Sequence, residues 1–239
     1  KDLNWINSLN ENYNYSINNI SDKISLLAVQ GPKAETLCES FTKEDLKSLS
    51  NYSFILGTFA GIDNVIISKT GYTGSGGFEL YVPNDNVEHI WNELFSVGNL
   101  EVKPIGLAAR DTLRLEMGYC LYGNDINESV TPIEANLGWI TKVETNFIGS
   151  KSIKKQIENG IKKKLVGFVI NDKGIPRKGY EIFDKSENLI GEVTSGTFSP
   201  VLKKGIGLAY IENNISSKEI YLKIRNNLIK LEVVKTPFI

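Results

Sequence analysis

The sequence predicts an α+β protein in two parts, a region of mixed helices and strands followed by a small all-β barrel or sandwich. Two observations predict the first part. Strand-like runs alternate with stretches of helical periodicity between residues 23 and 95, and a second amphipathic segment opens after Pro104. One observation predicts the second. From residue 163 onward, short β-branched runs follow one another with only turns between them.

The elements can be justified in order. "KISLLAVQ" (23–30) reads as a buried strand that Gly31-Pro32 stops, and Pro32 suits the first turn of a helix, where a missing N–H costs nothing. "AETLCESF" then sets Ala34, Leu37, Cys38 and Phe41 at helical spacing. Thr42 is expected to cap a second short helix carrying Leu46 and Leu49. "YSFILGTF" and "NVIISKT" are strands, and a glycine turn joins the latter to "FELYV" as a long-loop hairpin. Val87, Ile90, Trp91, Leu94 and Phe95 mark the cleanest helix, with Asp85 and Glu88 spaced as a capping box. His89, on the polar face of that helix, reads as a solvated surface residue. "KPIGLAARDTLRLEMG" predicts a further helix with Ile105, Ala109, Leu113 and Met117 as its apolar stripe, and with Gly106, Arg110 and Arg114 on another face. Beyond "YGNDINESVTP" the pattern loosens until about residue 163. The strands of the second part are "KLVGFVI", "YEIF", "LIGEVTSG", "GIGLAYI", "EIYLKIR" and "LIKLEVV". The expected domains are therefore 1–160 and 161–239.

Composition narrows the function. The chain has 239 residues, 41% hydrophobic and 23% charged, the balance of an ordinary globular protein with one or two cores. A formal net charge of −1 supplies no basic excess for neutralising nucleic-acid phosphates. Two cysteines, Cys38 and Cys120, make neither a disulfide framework nor a metal spacing, and a single histidine argues against a zinc or iron centre. A reducing compartment fits best. No run approaches the ~20 apolar residues of a membrane span, and no signal pattern opens the chain. It begins "KDLNWI" with Met117 as its only methionine, so a processed product or an excerpt of a longer chain is expected.

The residues with chemical character lie in "GYTGSGGFELY" (71–81) and "AARDTLRLE". In an extended "FELYV", Phe78, Leu80 and Val82 point one way while Glu79 and Tyr81 point the other, so Glu79 reads as solvated on an ordinary hairpin. Gly71, Gly74, Gly76 and Gly77 exceed what a turn requires, and glycine is used where a ligand approaches backbone closely. They do not form a phosphate-binding motif. Arg110, after two alanines and in line with Gly106, could pair with a neighbouring carboxylate or lie over a planar, hydrogen-bonding ligand.

Eight segments in one order, "KDLNWI", "LLAVQGPKA", "GYTGSGGFELYVP", "GLAARDTLRLEMGYCLYGNDI", "TPIEANLGW", "FIGSKSI", "KLVGFVI" and "GEVTSGTFSPVLKKGIGLAYI", resemble the glycine cleavage system T protein, the tetrahydrofolate-dependent aminomethyltransferase. The resemblance runs nearly end to end. It implies a folate-binding core followed by a C-terminal β-barrel, in a cytoplasmic or mitochondrial protein. It implies transfer of a methylene carbon from an aminomethyl group on the lipoyl arm of H protein to tetrahydrofolate, with release of ammonia. Carried over residue by residue, it makes Glu79, Arg110, Tyr72 and Tyr119 folate contacts. A carboxylate suits the N–H donors of a reduced pterin edge, and the tyrosines offer flat apolar faces. On this reading the glycines clear room for the ring.

The family's key Asp precedes the segment matching "KDLNWI", so no catalytic residue is expected within 1–239, and Asp2 belongs to the motif itself. The missing part would lie in a preceding segment or a complementing chain, and a truncated, inactive remnant is the third alternative. Two relatives compete with this reading. A folate-binding protein of iron–sulfur cluster assembly would carry a "KGCYTGQE"-like cysteine motif, where this chain has "ITKVETNFIGSKS". The folate-accepting half of a fused flavin-dependent demethylating dehydrogenase would be told by a dinucleotide fingerprint upstream.

Overall fold

A computed structural model describes residues 1–9, 15–98, 101–215 and 219–239. The Asn/Ser/Lys-rich stretches read as loops from sequence, 10–22 and 212–218, fall partly outside these. Contacts divide the chain into two compact units, Lys1–Gly71 with Ser75–Pro104, and Tyr72–Gly74 with Ile105–Ile239.

The first unit contains α1 (Asp2–Asn7), β1 (Ile24–Gln30), α2 (Ala34–Glu39), β2 (Phe54–Phe59), β3 (Ile62–Ser68), β4 (Gly77–Pro83) and α3 (Val87–Ser96). Its sheet has the order β1-β4-β3-β2, with every pairing antiparallel. Ala60 and Gly61, at φ 50° and 78°, turn β2 into β3. Positive φ at both central residues is what the right-handed twist of a two-residue hairpin demands. Alternation decides the core. Phe78, Leu80 and Val82 of β4, with Val65 and Ile67 of β3, are buried against Leu37 and Cys38 of α2 and Ile90 and Leu94 of α3. A fully buried side chain of this kind contributes about 1.5–3 kcal/mol.

Two expectations in this unit fail. Residues 42–50 form turns rather than a helix. The Thr42 hydroxyl accepts the Glu44 N–H at 3.2 Å, the short local bond by which threonine competes with helix, although Leu46 and Leu49 still reach the core. The Asp85/Glu88 capping box is not formed. Residues 84–86 make a 3₁₀ turn that leads directly into α3, and no side chain caps its first N–H groups. His89 is exposed, its ring nitrogen 3.0 Å from the Ala60 carbonyl.

The second unit holds α4 (Leu107–Glu116), α5 (Ser150–Asn159) and a closed six-stranded barrel. The barrel strands are β5 (Lys163–Ile170), β6 (Glu181–Asp184), β7 (Leu189–Ser199), β8 (Lys204–Glu212), β9 (Ile220–Ile224) and β10 (Asn227–Val234), in the order β10-β5-β8-β7-β6-β9. The alternation of β5 and β8 is used on both sides. Phe168 and Ile170 fill the interior with Ala209 and Ile211, while Leu165, Val169, Ile206 and Leu208 form an outer cluster with Leu115 of α4. Gly207 gives the interior ring its space, since a Cβ there would stand 2.5 Å from Phe168.

Here too the sequence misleads at two places. The expected apolar stripe of α4 is not its buried face. Ile105 precedes the helix at 62% exposure and Ala109 is exposed, whereas Arg114, Leu115 and Glu116 are buried. The helix docks through its C-terminal half, where Thr112 lies 3.4 Å from Thr197 of β7 and the last turn is buried. The region read as loose contains α5, whose pattern is thin because Ile153 and Ile157 are its only apolar residues. Among the described residues no helix is long and apolar enough to cross a membrane.

Candidate functional site

In the second unit, the end of α4 determines where Tyr119 goes. Gly118 takes φ 69° and donates its N–H to the Leu115 carbonyl, and the Tyr119 N–H bonds to the Arg114 carbonyl at 2.9 Å. This is the Schellman arrangement, which only glycine enters without penalty at the left-handed position. It stops the helix and sends Tyr119 back along it. There the Tyr119 ring stacks on Tyr72, centroids 5.8 Å apart and planes 24° from parallel. Arg110, two turns before the helix end, lays its guanidinium over the Tyr72 ring at 4.6 Å. A cation held over a ring face gains about 0.5–1 kcal/mol at an exposed site. The Tyr72 hydroxyl donates to the Cys120 carbonyl. Burial raises the Tyr72 pKa above its ordinary value, so the phenol stays a neutral donor.

Behind this cluster lies a feature that sequence reasoning missed. The helical spacing sets Arg114 beside Arg110 on one face of α4. Arg114 is instead fully buried. Its Nη1 donates to Asp125 at 2.7 Å and to the Tyr119 carbonyl at 2.8 Å, and its Nη2 donates to Ser195 at 2.8 Å. Nε reaches Asp111 at 2.8 Å. Burial opposes the charge of Arg114, but Asp125 and Asp111 outweigh it and raise the pKa. Asp125, equally buried, also accepts the Leu121 N–H at 2.9 Å and the hydroxyls of Thr194 and Ser195. Burial likewise pushes the Cys120 thiol up to about 11.

Glu79 belongs to the first unit. It lies on β4 opposite Ala28 of β1 and Ser68 of β3, on the sheet face away from α2 and α3. It is half-buried rather than fully solvated, and the Thr70 hydroxyl donates to its carboxylate. On the same face, the register places Tyr81 between Leu26 and Ile66, with Leu56 beyond. Leu26, Phe54 and Leu56 are 47%, 65% and 60% exposed there, so the face is largely apolar around a carboxylate whose own neighbours are Ala28, Ser68 and Thr70. The structure thus brings Tyr72, Arg110 and Tyr119 together and sets Glu79 on the sheet of the other unit.

The four glycines also have reasons within the protein. A Cβ at Gly71 would meet the Gln30 side chain, one at Gly74 would stand 2.5 Å from Met117, and one at Gly77 would meet the Val29 carbonyl. Gly76 has space but takes φ 78°. Gln30 lies beside Gly71 and Gly77, and its amide donates to the Thr70 and Phe78 carbonyls at 3.2 and 3.1 Å. Arg177 is exposed. It donates to the Gly196 carbonyl at 3.4 Å and shares an open cleft of about 410 Å³ with Lys173 and Arg225.

The second unit thus carries two stacked aromatic rings beside a guanidinium, and the first unit carries a half-buried carboxylate. Comparison with known proteins gives the family. The model of the GCVT N-terminal domain matches residues 1–145, and that of the glycine cleavage T-protein C-terminal barrel domain matches residues 163–239. The aminomethyltransferase of Flavobacterium psychrophilum is 52% identical over the whole chain and 67% of its own length. That of Thermosipho melanesiensis is 46% identical over the whole chain and 65% of its own length. The crystal structure of glycine cleavage system aminomethyltransferase T from Bartonella henselae superposes with a TM-score of 0.81 at 32% identity, covering 90% of this chain and 60% of that one. The chain belongs to the glycine cleavage T-protein family of aminomethyltransferases and spans about two thirds of the length of these curated relatives.

Proposed function

We propose that this chain carries folate-binding machinery of a tetrahydrofolate-dependent aminomethyltransferase, which takes a methylene carbon from the lipoyl-borne aminomethyl group of H protein, releases ammonia and yields 5,10-methylenetetrahydrofolate. The observation that carries the reading is the Tyr72–Tyr119 stack capped by the Arg110 guanidinium, in a chain of this family. Two aromatic faces and a delocalised cation suit a planar heterocycle with oxygen acceptors. When bound, tetrahydrofolate supplies the nitrogen that takes up the one-carbon unit. The residues of this chain hold it and orient it. Tyr72 and Tyr119 present faces, Arg110 offers N–H donors to carbonyl or carboxylate oxygens, and Glu79 accepts N–H donors of the pterin edge. Orientation is the main contribution expected of them, since fixing acceptor and donor groups turns an encounter into an intramolecular step. The aspartate that assists the reaction belongs, by family resemblance, before the segment matching "KDLNWI".

Titration with tetrahydrofolate tests this. Glu79→Ala should weaken binding by roughly 2–4 kcal/mol, the scale for truncating one partner of a desolvated charged contact. Arg110→Ala should weaken it as well. Unchanged affinity in both variants would remove folate from the reading.

A further inference from the structure

We infer that the Arg114–Asp125 pair is a positioning device. It fixes the backbone of residues 119–121 against the barrel and so sets the Tyr119–Tyr72–Arg110 cluster for its ligand. The inference rests on the folate reading above for what the ligand is, but not for what the pair holds.

The pair touches three segments of the chain. Arg114 comes from the last turn of α4, Asp125 from the loop beyond it, and Ser195, which bonds to both, from β7 of the barrel. Both charged side chains have 0% exposure. Stability does not account for such an arrangement, because replacing a buried ion pair with apolar residues of similar size is often neutral or stabilising. Apolar residues could not make the backbone bonds, however. Arg114 donates to the Tyr119 carbonyl at 2.8 Å, and Asp125 accepts the Leu121 N–H at 2.9 Å. Between them, the Cys120 carbonyl accepts the Tyr72 hydroxyl. Three consecutive residues therefore have a backbone group held, two by the ion pair and one by the tyrosine on which Tyr119 stacks. Asp125 is itself fixed. Thr194 and Ser195 donate to its carboxylate, and Tyr210 donates to its carbonyl at 2.9 Å. Every link from barrel to ring face is a hydrogen bond to a group with little freedom, which is how a ligand-touching residue is kept in place by one that does not touch the ligand.

The test compares three variants with two direct-contact controls. Arg114→Met/Asp125→Leu removes both charges together, so that neither is stranded. Asp125→Asn and Ser195→Ala remove parts of the network and carry the same comparison should the double variant not fold. Tyr72→Leu and Arg110→Ala remove proposed contacts. Circular dichroism and thermal unfolding establish folding. Hydrogen–deuterium exchange across residues 118–126 reads the backbone, and tetrahydrofolate titration reads the site. The folded double variant is expected to exchange faster across 118–126. It should lose at least about 10-fold in affinity, the scale on which residues holding a ligand-touching group act. Slow exchange and unchanged affinity in the folded double variant, while Tyr72→Leu loses affinity, would overturn the positioning role. Unchanged affinity in every variant, with exchange accelerated in the double variant, would overturn the folate reading of the cluster while upholding the backbone clamp.

Discussion

The four-stranded sheet unit and the barrel unit are built by different means. Among the described residues, the buried polar side chains Arg114, Glu116, Asp125, Ser150, Ser195 and Ser199 all lie in the barrel unit, and the core of the sheet unit is apolar throughout. In the sheet unit, shape and hydrophobic burial suffice to specify the fold. In the barrel unit, an ion pair and its hydroxyl partners join segments up to 85 residues apart, and those segments carry Tyr119 and neighbour Tyr72. The polar core sits behind the aromatic cluster, where hydrogen bonds supply a directionality that dispersion alone does not.

Two truncations break the comparison most severely. Phe78→Ala in the sheet unit should cost about 3–5 kcal/mol, through lost transfer energy and the cavity it leaves. Asp125→Ala in the barrel unit should cost a similar amount, about 3–5 kcal/mol, by stranding the charge of Arg114. Urea unfolding followed by circular dichroism measures both. The units part company when the defect is made apolar. Arg114→Met added to Asp125→Leu should recover most of the stability, whereas no second apolar change at Phe78 has a stranded charge to relieve.

A smaller effect concerns pH. Burial pushes the Cys38 thiol from its ordinary value near 9.0 to about 12. The native state therefore keeps a proton that the unfolded chain gives up near pH 9. The contribution is complete below that pH and declines as pH rises toward 12, by at most about 1.4 kcal/mol per pH unit. Cys120, raised less and more accessible, should add a shallower slope. Unfolding free energies between pH 8 and pH 10.5 should fall less steeply in Cys38→Ala than in the parent, and equal slopes would contradict the assignment. Smallest is the exposed Lys103–Glu101 pair at 2.8 Å, where Lys103→Ala should leave the melting temperature unchanged.

Much of the sheet unit was legible in the sequence, because its information is local. The alternation of Phe78, Leu80 and Val82 against Glu79 and Tyr81, and the period of Val87–Phe95, are visible within a few residues. The six barrel strands were legible as β-branched runs between turns, but their closure was not, since pairing such as β5 with β8 joins distant segments. The buried face of α4 was hidden for a stronger reason. A helix whose last turn buries arginine and glutamate reads as amphipathic on the wrong side until the partners at Asp125, Ser195 and Ser199 are known. The spacing of "RLE" and "GND" offered only a weak signal for them. Site residues Tyr72, Arg110, Tyr119 and Glu79 came from family likeness, and the contacts among the first three rest on a helix-ending glycine that sequence does show.

The most direct test is a crystal structure of the protein with tetrahydrofolate bound. The pterin should lie against the faces of Tyr72 and Tyr119, with Arg110 on its oxygens and the Glu79 carboxylate on its N–H edge. Folate bound elsewhere, with Tyr72, Tyr119, Arg110 and Glu79 all without ligand contact, would contradict the account.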